Sequence, residues 1–327
     1  MLKTHPQKVL QDSPAQTLCP DPFPRRVTIE LSGLCNLSCP VCPRRFVEAT
    51  SGLMSRRLFE KILEEIGTNG TEAVVPFFRG EPLLHPSFLE MIHLLRKKTR
   101  AGIQLATNAM LLSRSVAKGL LDLRIDFISF SLDALTARTY EKVRPGGDFN
   151  RVMDNVHGFL NMRESLGDSF TTVQVSATEG PDNQAEIVPF IAYWQGKADR
   201  VRIYPRHSEG GKFGRLEHAR PEESRKPCRK PFTDIVIYSD GQVALCNHDW
   251  DRKGEGAIGS VNEKTIQEIW EGPSYRKIRD KHLDGRWSEL DPCRHCDHWQ
   301  ASDGCDSFVG RLVERAERMA HSAEPGR

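Results

Sequence analysis

Between Arg26 and Tyr204, short β-branched or aromatic runs alternate with longer stretches whose apolar positions recur every three or four residues. The short runs are RVTIEL (26–31), AVVPFF (73–78), GIQLAT (102–107), DFISFSL (126–132), TVQVSA (172–177) and DRVRIY (199–204). Charges or breakers bound each of them, and each predicts a strand. SRRLFEKILEEIG puts Leu58, Ile62 and Ile66 on one helical face behind Ser55 as N-cap, with Gly67 ending the helix. Further helices are predicted at 87–100, 114–123, 149–167 and 183–196. Six strands alternating with helices imply a parallel sheet wound by right-handed crossovers, whether or not that sheet closes. In a barrel of this kind the working residues sit at the C-terminal ends of the strands.

After Tyr204 the pattern changes to a polar, Gly-, Pro- and charge-rich stretch, and then to DIVIYSDGQVALC (234–246), two apolar runs around Asp240-Gly241. That dipeptide predicts a β-hairpin. Short amphipathic helices ending at Gly272 and Gly285 follow, and a last helix over roughly Phe308 to Ala320. The pattern divides the chain into an N-terminal arm (1–25), an α/β unit (26–205), a linker (206–227), a small hairpin-and-helix unit (228–306) and a C-terminal helix and tail (307–327).

The 327 residues are 38% hydrophobic and 28% charged, enough to bury a sizeable core. Lys+Arg 46 against Asp+Glu 44 gives a net charge of +2, so charge supplies no argument for a nucleic-acid or membrane partner, and neither is expected. No apolar run reaches the roughly 18 residues of a transmembrane helix. MLKTHPQKVLQDSPAQ lacks the apolar core of a signal peptide, so a cytoplasmic protein is expected. In a reducing cytosol the nine cysteines point to metal binding rather than disulfides.

The cysteines form two sets. Cys35, Cys39 and Cys42 lie in CNLSCPVCPR, just after the first strand, where Pro40 and Pro43 prevent a helix. Three thiolates on a four-iron cluster leave one iron open, whereas the same three with a distant histidine would suit zinc. The second set is Cys228, Cys246, Cys293 and Cys296, with Cys305 close behind; four thiolates would satisfy zinc equally. Cys19 stands apart and is given no role.

The C-x3-C-x2-C spacing after a first strand resembles the radical S-adenosylmethionine (radical SAM) superfamily. FRGEP (78–82) is similar to the family's Gly-Gly-Glu-Pro segment, with Arg79 in place of its first glycine. The resemblance implies that Gly80 and Glu81 bind the SAM ammonium group. ATNAM (106–110) is similar to the family's Thr-Asn-Gly, which puts Thr107 and Asn108 at the rim, and SFSLDA (129–134) puts Ser131 and Asp133 near the SAM ribose. Where many relatives carry an aromatic residue against adenine, this chain has Val41. The second cysteine set resembles the SPASM extension and its shortened "twitch" form, and the two resemblances together cover about residues 26 to 300. They imply a partial (β/α)6 TIM-like barrel with a small C-terminal α+β twitch domain. They also imply SAM, a SAM-binding [4Fe-4S] cluster on the first three cysteines and an auxiliary [4Fe-4S] cluster on the other four. His248, Asp249 and His295 flank the auxiliary ligands, where they would tune the potential.

The resemblance further implies hydrogen abstraction from a carbon of a small polar, carbohydrate- or aminocyclitol-like substrate, with an electron donor such as flavodoxin or ferredoxin. An electron-accepting second cluster favours oxidation of a secondary alcohol to a ketone. Arg202, Arg206, His207 and Glu209 are then candidate proton acceptors. With Cys305 as hydrogen-atom donor the outcome is instead epimerisation. A third outcome is modification of a ribosomal peptide, which is disfavoured because only about 25 residues precede the first strand, fewer than a leader-binding module needs. A zinc-binding interaction module is the non-enzyme alternative; it would need neither FRGEP nor ATNAM.

Overall fold

The computed structural model describes residues 18–47, 52–167, 170–204, 225–250, 258–297 and 299. The helix expected over Phe308–Ala320 and most of the expected linker lie outside them. All six expected strands form: β1 (Arg26–Ile29), β2 (Ala73–Val75), β3 (Gly102–Thr107), β4 (Phe127–Ser131), β5 (Thr172–Thr178) and β6 (Arg200–Tyr204). Each pairs in parallel with the next. Between them run α1 (Arg56–Asn69), α2 (Phe88–Lys98), α3 (Arg114–Asp122), α4 (Ala137–Val143), α5 (Phe149–Ser165) and α6 (Gln184–Trp194). The seven-residue α4 is an addition to the predicted elements, too short to carry a periodic stripe.

Ser55 caps α1 as expected, its hydroxyl accepting from the Leu58 N–H at 3.2 Å. The helix does not end at Gly67. It continues to Asn69 and stops at Gly70, whose φ of 81° is the left-handed conformation that closes a helix. Gly67 serves packing instead, since a Cβ there would lie 2.5 Å from the Lys98 carbonyl oxygen on the neighbouring α2 turn.

The Asp240-Gly241 hairpin forms between β7 (Asp234–Ile237) and β8 (Val243–Ala244), preceded by α7 (Lys230–Thr233) and followed by α8 (Ile266–Trp270) and α9 (Pro273–Leu283). Gly272, read from the sequence as the end of α8, is the N-cap of α9. The hairpin does not stand alone. β7 pairs in parallel with β1, Thr28 opposite Val236 and Ile29 opposite Ile237. One sheet therefore runs β6-β5-β4-β3-β2-β1-β7-β8 through both halves of the chain.

Side chains alternate across such strands. Val27, Ile29, Ile103, Leu105, Ile128, Phe130, Val173 and Val175 are buried in the main core. Thr28, Gln104, Ser129 and Gln174 occupy the alternate positions, and the Gln174 amide donates to the Ser129 hydroxyl at 3.0 Å. The face away from the main core thus carries polar groups at these positions, beside a separate apolar cluster of Phe78, Val236, Tyr238 and Ala244. No helix among the described residues is long and apolar enough to cross a membrane.

Candidate active site

Cys35, Cys39 and Cys42 are half-buried on the loop leaving β1. The loop is folded by its own turn, Cys42 N–H to Cys39 carbonyl at 3.1 Å, and pinned by the Ser38 N–H donating to the Pro145 carbonyl at 3.0 Å. Burial pushes the Cys42 thiol up to about 11, and the neighbouring Cys39 and Cys35 add to the rise. Cys39 is raised as well, by burial first, while Arg144 pulls the other way. Such thiols stay protonated until a positively charged group takes their protons' place. Three mutually interacting thiols on a non-helical loop fit a cluster with one open iron.

Gly80 lies against this loop. A Cβ on it would fall 2.2 Å from the Ser32 and 2.3 Å from the Leu34 carbonyl oxygen, and the Glu81 N–H donates to Leu34 O at 2.7 Å. Gly80 therefore lets the backbone after β2 approach the chain's own cysteine loop closely. The Glu81 carboxylate accepts from Thr107 Oγ1 at 2.7 Å, the Asn108 N–H at 2.9 Å and the Leu83 N–H at 3.2 Å. Burial raises its pKa and these three bonds oppose the rise. Thr107 and Asn108 are buried rather than at an open rim. The Asn108 amide nitrogen sits 2.9 Å from Asn36 Oδ1 and 4.0 Å from Cys35 Sγ. Glu81 thus ties the end of β3 to the cysteine loop.

Ser131 ends β4, partly exposed, and Asp133 follows in the left-handed region at φ 64°. The Asp133 carboxylate accepts from the Thr178 N–H at 2.7 Å and from Arg144 Nη2 at 2.6 Å. Arg144 is a residue the sequence reading missed. Burial works against its charge, but Asp133, Cys39 and Tyr140 together hold its pKa above the usual arginine value. Its Nε–H is buried with no hydrogen-bond partner. The Arg144-Pro145-Gly146-Gly147 turn was its sequence signal, because Gly146 at φ 92° brings the turn against Asn36 O. Arg202 is half-buried on β6 with its guanidinium over the Tyr204 ring at 5.2 Å. Arg206, His207, Glu209 and Cys305 lie outside the described residues.

Cys228, Cys246, Cys293 and Cys296 line one cavity together with Arg225 and His282. Burial raises Cys228, Cys246 and Cys293, and the other thiols push Cys246 and Cys293 further. Among the described residues no three such groups are drawn close enough to grip a single ion. Four thiols on the wall of one cavity, three of them raised by burial, supply the donor set of a thiolate-ligated iron-sulfur cluster. The His248 N–H donates to Cys246 Sγ at 3.3 Å and the residue lines the same cavity, while His295 is exposed. Asp249 is buried, one oxygen accepting from the Leu245 N–H at 2.9 Å. His282, which the sequence reading did not single out, sets its ring against Cys293. Burial and then the Arg225 charge push its pKa down to about 4.

Residues 29–163 match the Radical SAM superfamily, and residues 228–297 match SPASM, an iron-sulfur cluster-binding domain. The "tungsten-containing aldehyde ferredoxin oxidoreductase cofactor-modifying protein" of Pyrococcus furiosus is 27% identical over 169 residues, 50% of this chain and 46% of that one. The chain spans about half the length of the curated relatives it matches. Among solved structures, BtrN in complex with AdoMet and 2-DOIA superposes with a TM-score of 0.57 at 17% identity, over 84% of this chain and 92% of BtrN. Streptococcus suis SuiB bound to precursor peptide SuiA gives a TM-score of 0.63 at 15% identity, over 90% of this chain and 74% of SuiB. At these identities the two share its fold. The first domain implies SAM and a [4Fe-4S] cluster, and the second implies an auxiliary iron-sulfur cluster. The chain thus carries a Radical SAM domain followed by a cluster-binding domain of the SPASM/twitch kind.

Proposed function

We propose that Cys35, Cys39 and Cys42 hold the SAM-binding cluster, that Cys228, Cys246, Cys293 and Cys296 hold the auxiliary one, and that the enzyme oxidises a secondary alcohol of a small polar, carbohydrate- or aminocyclitol-like intermediate to a ketone. When bound, the first cluster supplies the electron that cleaves SAM to methionine and a 5'-deoxyadenosyl radical, and the second accepts the electron the substrate gives up. The observation that carries this reading is the single cavity lined by four thiols. Four cysteine ligands leave no iron free to bind substrate, so the use left to that site is electron transfer. In the oxidation the alcohol carbon loses a hydrogen atom, its hydroxyl a proton, and one electron departs.

The chain's own residues prepare this. Glu81 fixes Asn108 against the cysteine loop, with Gly80 seated on that loop's carbonyls. Arg144, with a buried unpartnered N–H within electrostatic reach of Cys39, receives the SAM carboxylate. Ser131 lies at the mouth for the ribose, and Asp133 acts through Arg144. Ser129 and Gln174 offer hydroxyl and amide groups to a hydroxylated substrate. The likeness to BtrN with 2-DOIA supports a small substrate of this class. The likeness to SuiB with a bound precursor peptide supports a second reading, peptide modification.

Turnover in deuterated water under dithionite tests the reaction. Oxidation yields 5'-deoxyadenosine and a ketone carrying no solvent deuterium at the new carbonyl carbon. Deuterium at an inverted carbon, lost in Cys305→Ala, would replace oxidation by epimerisation. Replacing Cys35, Cys39 and Cys42 with alanine should abolish 5'-deoxyadenosine, and cleavage that persists would overturn the cluster assignment.

A further inference from the structure

His282 sits on the buried face of α9 with Tyr275 and Ile278, only 1% exposed. Its ring bridges two of the auxiliary cysteines. On one side the Cys228 backbone N–H approaches Nδ1 at 3.4 Å, and on the other Nε2 lies 3.6 Å from Cys293 Sγ. A backbone N–H can only donate, so Nδ1 must present its lone pair. In the neutral ring the one proton is then on Nε2, pointing at sulfur. This tautomer has a donor, not a lone pair, on the side facing the thiols.

We propose that His282 is a positioning residue of the auxiliary site, its Nε2–H hydrogen-bonded to the Cys293 thiolate so that the cluster held there takes up an electron more readily. The inference rests on the auxiliary-cluster reading above. One-electron reduction spreads added negative charge over the cluster and its thiolate sulfurs. An N–H aimed at one of those sulfurs stabilises the reduced form more than the oxidised form, and hydrogen bonds to sulfur are among the groups that set such potentials. The Cys228 N–H holds the ring in the donating tautomer, so the bond is built in before any cofactor arrives. The Arg225 guanidinium, which donates to the Cys293 carbonyl at 2.8 Å, steadies the same cysteine from its backbone side.

The test is a redox titration of the full-length, cluster-loaded protein, with the auxiliary signal followed by electron paramagnetic resonance in the wild type, His282→Leu and His282→Gln. His282→Leu should keep about eight irons. Its reduction equilibrium should fall about tenfold, a shift of about 59 mV for one electron. The glutamine amide can still donate, so His282→Gln should recover most of that shift. The inference is overturned if His282→Leu keeps its iron at the wild-type potential. It is equally overturned if both variants lose the auxiliary iron while the wild type shows the strong nitrogen coupling of an iron-bound imidazole, which would make His282 a ligand. If the leucine variant fails to load, the glutamine variant decides: a wild-type potential supports the bond and a lowered one refutes it. Zinc with only about four irons in the wild type would overturn the auxiliary-cluster reading itself, a result distinct from all of these.

Discussion

Arg79 grips Glu30 with two prongs, Nε to Oε1 at 2.6 Å and Nη2 to Oε2 at 2.9 Å, both side chains buried. Its remaining Nη1 donates to the Trp250 carbonyl at 3.0 Å, and its guanidinium lies over the Tyr238 ring at 4.1 Å. Ser239 adds its N–H and hydroxyl to Glu30 Oε2, each at 3.1 Å. The residue that departs from the Gly-Gly-Glu-Pro pattern therefore joins the loop after β2 to the segment following Cys246. Arg79→Gly, which restores the pattern, leaves Glu30 buried without its cation and should cost about 3–5 kcal/mol in urea unfolding. An Arg79→Met, Glu30→Gln double variant should recover much of that loss, and equal losses in the single and the double variant would contradict the pairing.

Gly80→Ala should displace the Cys35 loop, because its methyl group would meet two backbone carbonyls at 2.2 and 2.3 Å. We expect reconstituted iron to fall from about eight to about four, the auxiliary set remaining. Iron analysis and the SAM-induced spectral change report it.

Arg144→Lys keeps the charge but loses the fork that serves Asp133 and still leaves a donor free. A charge-assisted hydrogen bond contributes about 1.5–3 kcal/mol, so SAM affinity should drop about tenfold to a hundredfold. Equilibrium binding of SAM measures it, and an unchanged affinity would remove Arg144 from the SAM site.

His157 stacks on Trp194 at 5.2 Å and shares a hydrogen bond with the Tyr193 hydroxyl at 2.9 Å. Burial first, then the Lys197 charge, lowers its pKa from 6.5. Below that value the unfolded chain binds a proton that the folded ring still refuses. The stability from neutral His157 is thus present above 6.5 and lost as pH falls through the folded pKa. His157→Phe keeps the stacking and cannot titrate, so its urea midpoint should depend less on pH over that range than the wild type's.

The strands were legible because each is a short run of strand-forming residues between breakers, buried in β1 to β5 and half-buried in β6, and β3 spans the residues its pattern marks out, Gly102 to Thr107. The cysteine loop was legible from spacing. What local pattern could not carry was long-range. Gly67 looks like a helix end until Lys98 is seen against it, and nothing near Asp234 says that β7 will lie beside β1. Arg144 is 105 residues from Cys39 along the chain, yet its charge opposes the rise that burial gives that thiol's pKa. His282 occupies a core position of an amphipathic helix, and only the fold reveals that this core position borders sulfur.

The pairing of β7 with β1 also bears on how the chain can be divided. β1 is flanked by β2 on one side and β7 on the other. Removing everything after Tyr204 would strip β1 along that whole side. Its N–H and carbonyl groups, now buried, would become an unguarded seam with apolar Val27 and Ile29 alongside. Bare, flat strand borders of this sort recruit other strands, so the isolated front half would tend to self-associate rather than act as a free-standing SAM-cleaving core. The rear segment is in this sense the selvedge of the sheet, keeping the strand that is first in sequence from fraying into contact with its neighbours.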